Sequence, residues 1–97
     1  MFTSLDEMDT FDQVIRELLK KKQDDLKMTD EALGKMAFGF MVGKRTKVQA
    51  IFVGQGADKY RKLQKLRLTD VMNLCEALGT TINDILKEAR KIVKEKK

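Results

Sequence analysis

The stretch Leu66–Leu86, LRLTDVMNLCEALGTTINDIL, constrains this chain more than any other. Leu68, Val71, Met72, Cys75 and Leu78 recur at the spacing that lines one side of an α-helix, with Leu74 beside them. Gly79 stops that helix. Thr81 caps the next, and Asp84 stands at the capping-box position with a shorter acid than usual. Ile82, Ile85, Leu86, Ala89, Ile92 and Val93 then supply a second, longer apolar stripe. Two amphipathic helices this close together call for further helices to cover them.

The rest of the chain supplies those helices. Thr10, with Gln13 three residues on, reads as the cap of a first helix whose apolar face is Phe11, Val14, Ile15, Leu18 and Leu19. Lys20 to Lys22 suit its negative end, and Gln23 to Lys27 reads as a connection. Thr29 caps a short second helix with Asp30 and Glu31 in its first turn and Leu33, Met36 and Ala37 facing inward. Gly34 within it points to close approach of a neighbour. Phe38 to Gly43, FGFMVG, is an extra helical turn or a loop folded back on the core, and periodicity does not choose between them. Lys44 to Val53 predicts a third helix with Val48, Ile51 and Phe52 inward and Lys44, Arg45, Thr46, Lys47, Gln49 and Ala50 left mainly outside. Gly54 and Gly56 stop it. Ala57 to Lys65 reads as a basic linker anchored by Tyr60 and Leu63. The chain of 97 residues contains no proline, and the expectation is one all-α domain, a compact bundle of about five helices. Residues 1–9 are expected to be a flexible acidic N-terminus, 10–93 the domain and 94–97 a basic tail.

Charge is distributed unevenly around a net of +5. Met1 to Asp12 carries Asp6, Glu7, Asp9 and Asp12 and no base, whereas Lys44 to Arg67 carries eight bases and one acid, Asp58. The cations therefore gather where a polyanion can use them, although a merely solvated surface gives the same pattern. A basic helix preceded by another short helix is a device for reading double-stranded DNA, because the major groove admits an α-helix and displays distinct base edges. Arg45 has the fork that fits guanine O6 and N7, Thr46 and Gln49 can bond to bases or phosphate, and Ala50 can lie against a thymine methyl. Lys44 and Lys47 are expected to neutralise phosphates, which fixes register without reading sequence.

Three segments, TDEALGKMA (Thr29–Ala37), KRTKVQAIFVG (Lys44–Gly54) and LRLTDVMNLCEALGTTINDIL, resemble the Cro/C1-type helix-turn-helix family of phage-type repressors. The resemblance runs from about Phe11 to Leu86, and its final segment is the most specific. It implies a lambda-repressor-like bundle whose second and third helices form the helix-turn-helix, and binding to operator DNA, commonly as a dimer. By position it places Arg45, Thr46 and Ala50 at the bases, with Lys47 and Gln49 beside them. Thr29, Asp30 and Lys35 fall where the second helix meets the DNA backbone. Val48, Ile51 and Gly54 match the buried side and stop of the recognition helix. Asp30 departs from the pattern, since an ionised carboxylate cannot donate to a phosphate and repels it. The turn through Phe38 to Gly43 and the connection Gln55 to Lys65 are longer than usual. Lys59, Arg61, Lys62 and Lys65 in that connection are expected to add phosphate contacts.

The leading expectation is a sequence-specific DNA-binding transcriptional regulator, repressor-like and cytoplasmic. The alternative is a helical protein–protein interaction or assembly module of the same fold, with FGFMVG as an apolar patch. RNA binding is disfavoured by a single tyrosine and no tryptophan. Self-association through Ile92 and Val93 stands beside ordinary packing of those residues on the first helix. No membrane partner and no small-molecule substrate are expected, since no apolar run approaches the ~20 residues needed to span a bilayer. An N-terminus with acids in place of bases does not resemble a signal peptide. No cofactor and no enzymatic activity are expected either. The chain has no histidine, and Cys75, its one cysteine, has no visible base partner and reads as a small hydrophobe.

Overall fold

The computed structural model describes residues 3–40, 43–52 and 66–95, without the side chains at 45 and 46. Among the described residues, five helices run in the order α1 (Leu5–Asp25), α2 (Asp30–Phe38), α3 (Lys44–Phe52), α4 (Leu68–Ala77) and α5 (Ile82–Glu95). They form a compact all-α bundle in which α1 packs on α5, α2 packs on both α3 and α4, and α1 also touches α3. None of them is long and apolar enough to cross a membrane.

Local chemistry explains most of the boundaries. α1 begins at Leu5, before the expected Thr10, because Ser4 Oγ accepts from the Glu7 amide at 3.1 Å. The Glu7 carboxylate in turn accepts from the Thr3 amide at 2.9 Å and from its hydroxyl at 3.1 Å. α1 also continues through the expected connection to Asp25 and buries Gln23. Its end is a Schellman turn, with the Met28 amide bonded to Gln23 O and the Lys27 amide to Asp24 O. The same two-bond turn closes α4, from Thr80 to Cys75 O and from Gly79 to Glu76 O. Both turns need a left-handed residue. Gly79 takes φ 74° without penalty, whereas Lys27 takes φ 55° with a side chain attached. Thr29 and Thr81 cap α2 and α5 as expected, accepting from the amides of Ala32 at 3.0 Å and Asp84 at 3.1 Å.

The core joins Phe11, Val14, Ile15, Leu18 and Leu19 of α1 to Leu33, Ala37 and Phe38 of α2, Val48 and Ile51 of α3, Val71, Leu74 and Cys75 of α4, and Ile85 and Ala89 of α5. Phe38 settles part of the open question about FGFMVG, since it closes α2 and is buried while Phe40 is 80% exposed. Met41 and Val42 lie outside the described residues. Gly34 is buried within α2.

Three apolar expectations are corrected. Met36, Leu68 and Met72 face solvent at 62%, 66% and 48% exposure. On α4 the inward side is Val71, Leu74, Cys75 and, just beyond it, Leu78. That is an i, i+3, i+4, i+7 stripe rotated away from Leu68 and Met72. Ile92 and Val93 are half-buried against the core, so their apolar surface is already largely used by the single chain. Cys75 is 1% exposed, and burial pushes its thiol up from the ordinary value while Lys22 pulls weakly the other way.

Candidate nucleic-acid interface

The α2–α3 pair is held in place by a polar junction at the start of α2. Asp30 Oδ1 accepts from Gln23 Nε2 of α1 at 2.8 Å, and Asp30 Oδ2 accepts from Gln49 Nε2 of α3 at 3.5 Å. Lys20 Nζ stands 3.9 Å from Asp30 Oδ1. Gln23, only 1% exposed, also donates to Met28 O at 3.1 Å. One carboxylate thus ties three helices together. The charge that looked like a liability toward a phosphate is taken up by internal donors and one lysine.

A second junction lies under α3. Lys47 Nζ is 3.3 Å from Asp70 Oδ2 of α4, an ion pair without a directed hydrogen bond at that oxygen. The two side chains are 14% and 10% exposed. The ammonium also sits 5.3 Å from the centre of the Phe38 ring, a cation–π distance.

These contacts redraw the expected outer face of α3. Ala50 is 3% exposed and so is closed to a thymine methyl. Lys47 is turned inward by Asp70 and Phe38 and is not presented to a phosphate. Gln49 is half-buried with its amide engaged by Asp30. The nine-residue α3 packs against both α2 and α1, and Lys47 reaches Asp70 on α4, so these three side chains meet protein.

Lys44 remains partly accessible at the first position of α3. Lys35 is exposed in the last turn of α2, and Thr29 is exposed while its hydroxyl caps that helix. Arg45 and Thr46 lie in the first turn of α3, but their side chains are outside the described ones. Lys59, Arg61, Lys62 and Lys65 also lie outside the described residues.

The first turns of the helices differ in sign. Those of α1, α2, α4 and α5 carry acids: Asp6 and Glu7, Asp30 and Glu31, Asp70, and Asp84. The first turn of α3 carries none, and opens with Lys44 and Arg45. Cations at the positive end of a helix are unfavourable by about 0.3–1 kcal/mol each at the surface. An anion placed there removes the penalty and accepts from the free amides.

A hollow of about 290 Å³ opens beside α3, lined by Gln13, Arg16, Glu17, Lys20, Lys21, Asp24 and Phe52. Lys20 Nζ stands 5.8 Å from the Phe52 ring centre there. Both charge signs line it, so it does not select anions. A second hollow of about 270 Å³ lies between α2 and α4 among Met36, Ala37, Asn73, Glu76 and Ala77.

Gln23 and Asp70 were not among the residues expected to matter for this surface. Gln23 falls on the i+4 series after Ile15 and Leu19, so helical spacing marks it as inward-facing. Asp70 has only the ordinary signal of an acid in a first turn. Neither protein-family models, nor curated proteins, nor solved structures match the chain.

Proposed function

We propose that this chain is a sequence-specific DNA-binding regulator in which α2 and α3 act as a Cro/C1-type helix-turn-helix and α3 enters the major groove by its N-terminal end. The observation that carries this reading is the acid-free opening of α3, with Lys44 and Arg45, in a bundle whose other described helices each carry an acid in the first turn. A duplex phosphate backbone offers the anion that this end lacks. In this arrangement Arg45 reads a base pair and Thr46 lies beside it. Lys44, Lys35 and Thr29 hold phosphates. Lys47, Gln49 and Ala50 set the pose of α3 from within.

The test is selection of bound sequences from random duplex DNA, followed by binding of the selected site over a range of salt. A defined motif is expected, with Arg45→Ala flattening the preference at one base pair by about 1–3 kcal/mol. Lys44→Ala and Lys35→Ala are expected to weaken all duplexes alike, each lowering the salt slope by about 1. Absence of any salt-dependent duplex binding overturns the reading.

One observation favours a second reading, a protein-interaction module. Met36 and Met72 are exposed on the neighbouring helices α2 and α4, and Met36 lines the groove between them. Exposed apolar side chains around a groove mark many docking surfaces. Under that reading Met36→Lys abolishes partner capture and duplex DNA is not bound.

A further inference from the structure

Three kinds of side chain divide the circumference of α5. Successive residues of an α-helix are turned by about 100°. On that geometry Ile82, Ile85, Leu86, Ala89, Ile92 and Val93 share the side that packs on the core. Asp84, Glu88 and Glu95 fall together on one flank, all exposed. Lys87, Arg90, Lys91 and Lys94 take the outward side at i, i+3, i+4 and i+7, and all four are exposed. Glu88 is engaged by Lys22 of α1 at 3.9 Å, away from the outward side. None of the four cations forms an ion pair among the described residues. Every i, i+3 and i, i+4 pair within the set is like-charged, an arrangement that weakens a helix. An anion laid along the row removes that repulsion.

The row is remote from the opening of α3. α5 packs on α1 and α4, whereas α3 packs on α2 and α1, so α1 stands between them. The buried Ile85 and Ala89 point to the core that also holds Val48 and Ile51 of α3. The opposite side of α5 therefore faces away from α3.

The chemistry of the row selects among polyanions. A helix that lies on a membrane buries an apolar face in it. The apolar face of α5 is used by the bundle, and none of the exposed large apolar side chains among the described residues lies on this helix. Single-stranded nucleic acid is held by aromatic side chains on which bases stack. α5 has no aromatic residue. A stiff row of cations without stacking groups suits the phosphate backbone of a duplex. From Lys87 to Lys94 the helix rises about 10 Å, the axial span of about three phosphates of one strand. Such contacts neutralise charge and read no bases.

We infer that the outward side of α5 is a second duplex-binding surface, independent of sequence and separate from the α3 opening. The site itself does not depend on DNA binding by α3. One consequence does rest on that reading: a molecule that engages DNA through α3 holds a second duplex segment on α5, and so bridges the two.

Amide NMR of the whole chain carrying Lys44→Ala and Arg45→Ala, titrated with a short random-sequence duplex at about 50 mM salt, tests the site without α3. Shifts are expected to concentrate at residues 87–94 and to fade as salt is raised. Lys87→Gln, Arg90→Gln, Lys91→Gln and Lys94→Gln together are expected to lower the salt slope by about 3 and to abolish those shifts. Circular dichroism checks that this variant remains helical. A variant with Lys87→Arg, Lys91→Arg and Lys94→Arg is expected to bind as the wild type does, because charge and not residue identity is used. Residues 87–94 left unmoved by duplex, or a neutralised protein with an unchanged salt slope, overturn the inference. So does cation-dependent binding to phosphatidylserine vesicles without binding to duplex. In a second arm, a duplex fixed to beads and saturated with wild-type protein is expected to capture a labelled second duplex, and the neutralised variant is expected to lose the capture. Shifts on α5 without any capture leave the site standing and count against DNA engagement by α3. Capture that survives neutralisation overturns the inference.

Discussion

Lys27 and Gly79 occupy equivalent positions in two Schellman turns, and only one of them is suited to its backbone. A side chain in the left-handed region costs roughly 1–2 kcal/mol, part of which a glycine returns through its larger unfolded-state entropy. Lys27→Gly is therefore expected to stabilise the protein by about 0.5–1 kcal/mol, and Gly79→Ala to destabilise it by about 1 kcal/mol. Urea midpoints measured on the two variants check both signs, and a loss of stability in Lys27→Gly contradicts the assignment. The Lys47–Asp70 pair makes a sharper case. Asp70→Ala strands an ammonium that is nearly out of water and is expected to cost about 3 kcal/mol, whereas exchanging both partners for apolar side chains is expected to be close to neutral. A double-mutant cycle in denaturant separates the two effects.

Among the elements, the junction at Asp30 decides how α2 and α3 are presented. Gln23→Ala removes the donor to both Met28 O and Asp30. The expected loss is about 1–3 kcal/mol, with amide exchange quickening first around residues 28–32. Protection that falls evenly along all helices instead shows that the junction is no local fastener. The elements themselves were largely legible because their signals are local. Thr29, Thr81 and Gly79 act on amides or carbonyls within a few residues. The start of α1 was equally available, since Ser4 with Glu7 carries the same signature as Thr10 with Gln13. The inward side of α4 was not, because Leu68, Val71, Met72, Leu74, Cys75 and Leu78 cover too wide an arc for periodicity to select among them. Contact with α2 and α5 makes that choice. The face of α3 is hidden from the sequence for the same reason in polar form. Asp30 lies nineteen positions from Gln49, and Asp70 further still from Lys47, and no local pattern announces such partners.

At the scale of the whole molecule, Cys75 reports on the integrity of the bundle. It is almost completely covered, and burial raises its thiol, so the reactive thiolate is scarce in the folded state. Reaction with a colorimetric disulfide reagent at mildly alkaline pH is expected to be slow in the native protein and fast in urea. Its native rate should track global stability across the variants above. Fast labelling of the native protein argues for local opening of α4 instead.

The packing of α1 on α5 also sets a timetable for synthesis. Phe11, Val14, Ile15, Leu18 and Leu19 emerge early, but the helix that covers part of them is not made until Ile82 to Val93 have been added. At about 5–20 residues per second, that leaves the apolar face of α1 incompletely sheltered for roughly 3–14 s in every nascent chain. The newborn protein therefore passes through an interval in which chaperone capture competes with completion of its own fold.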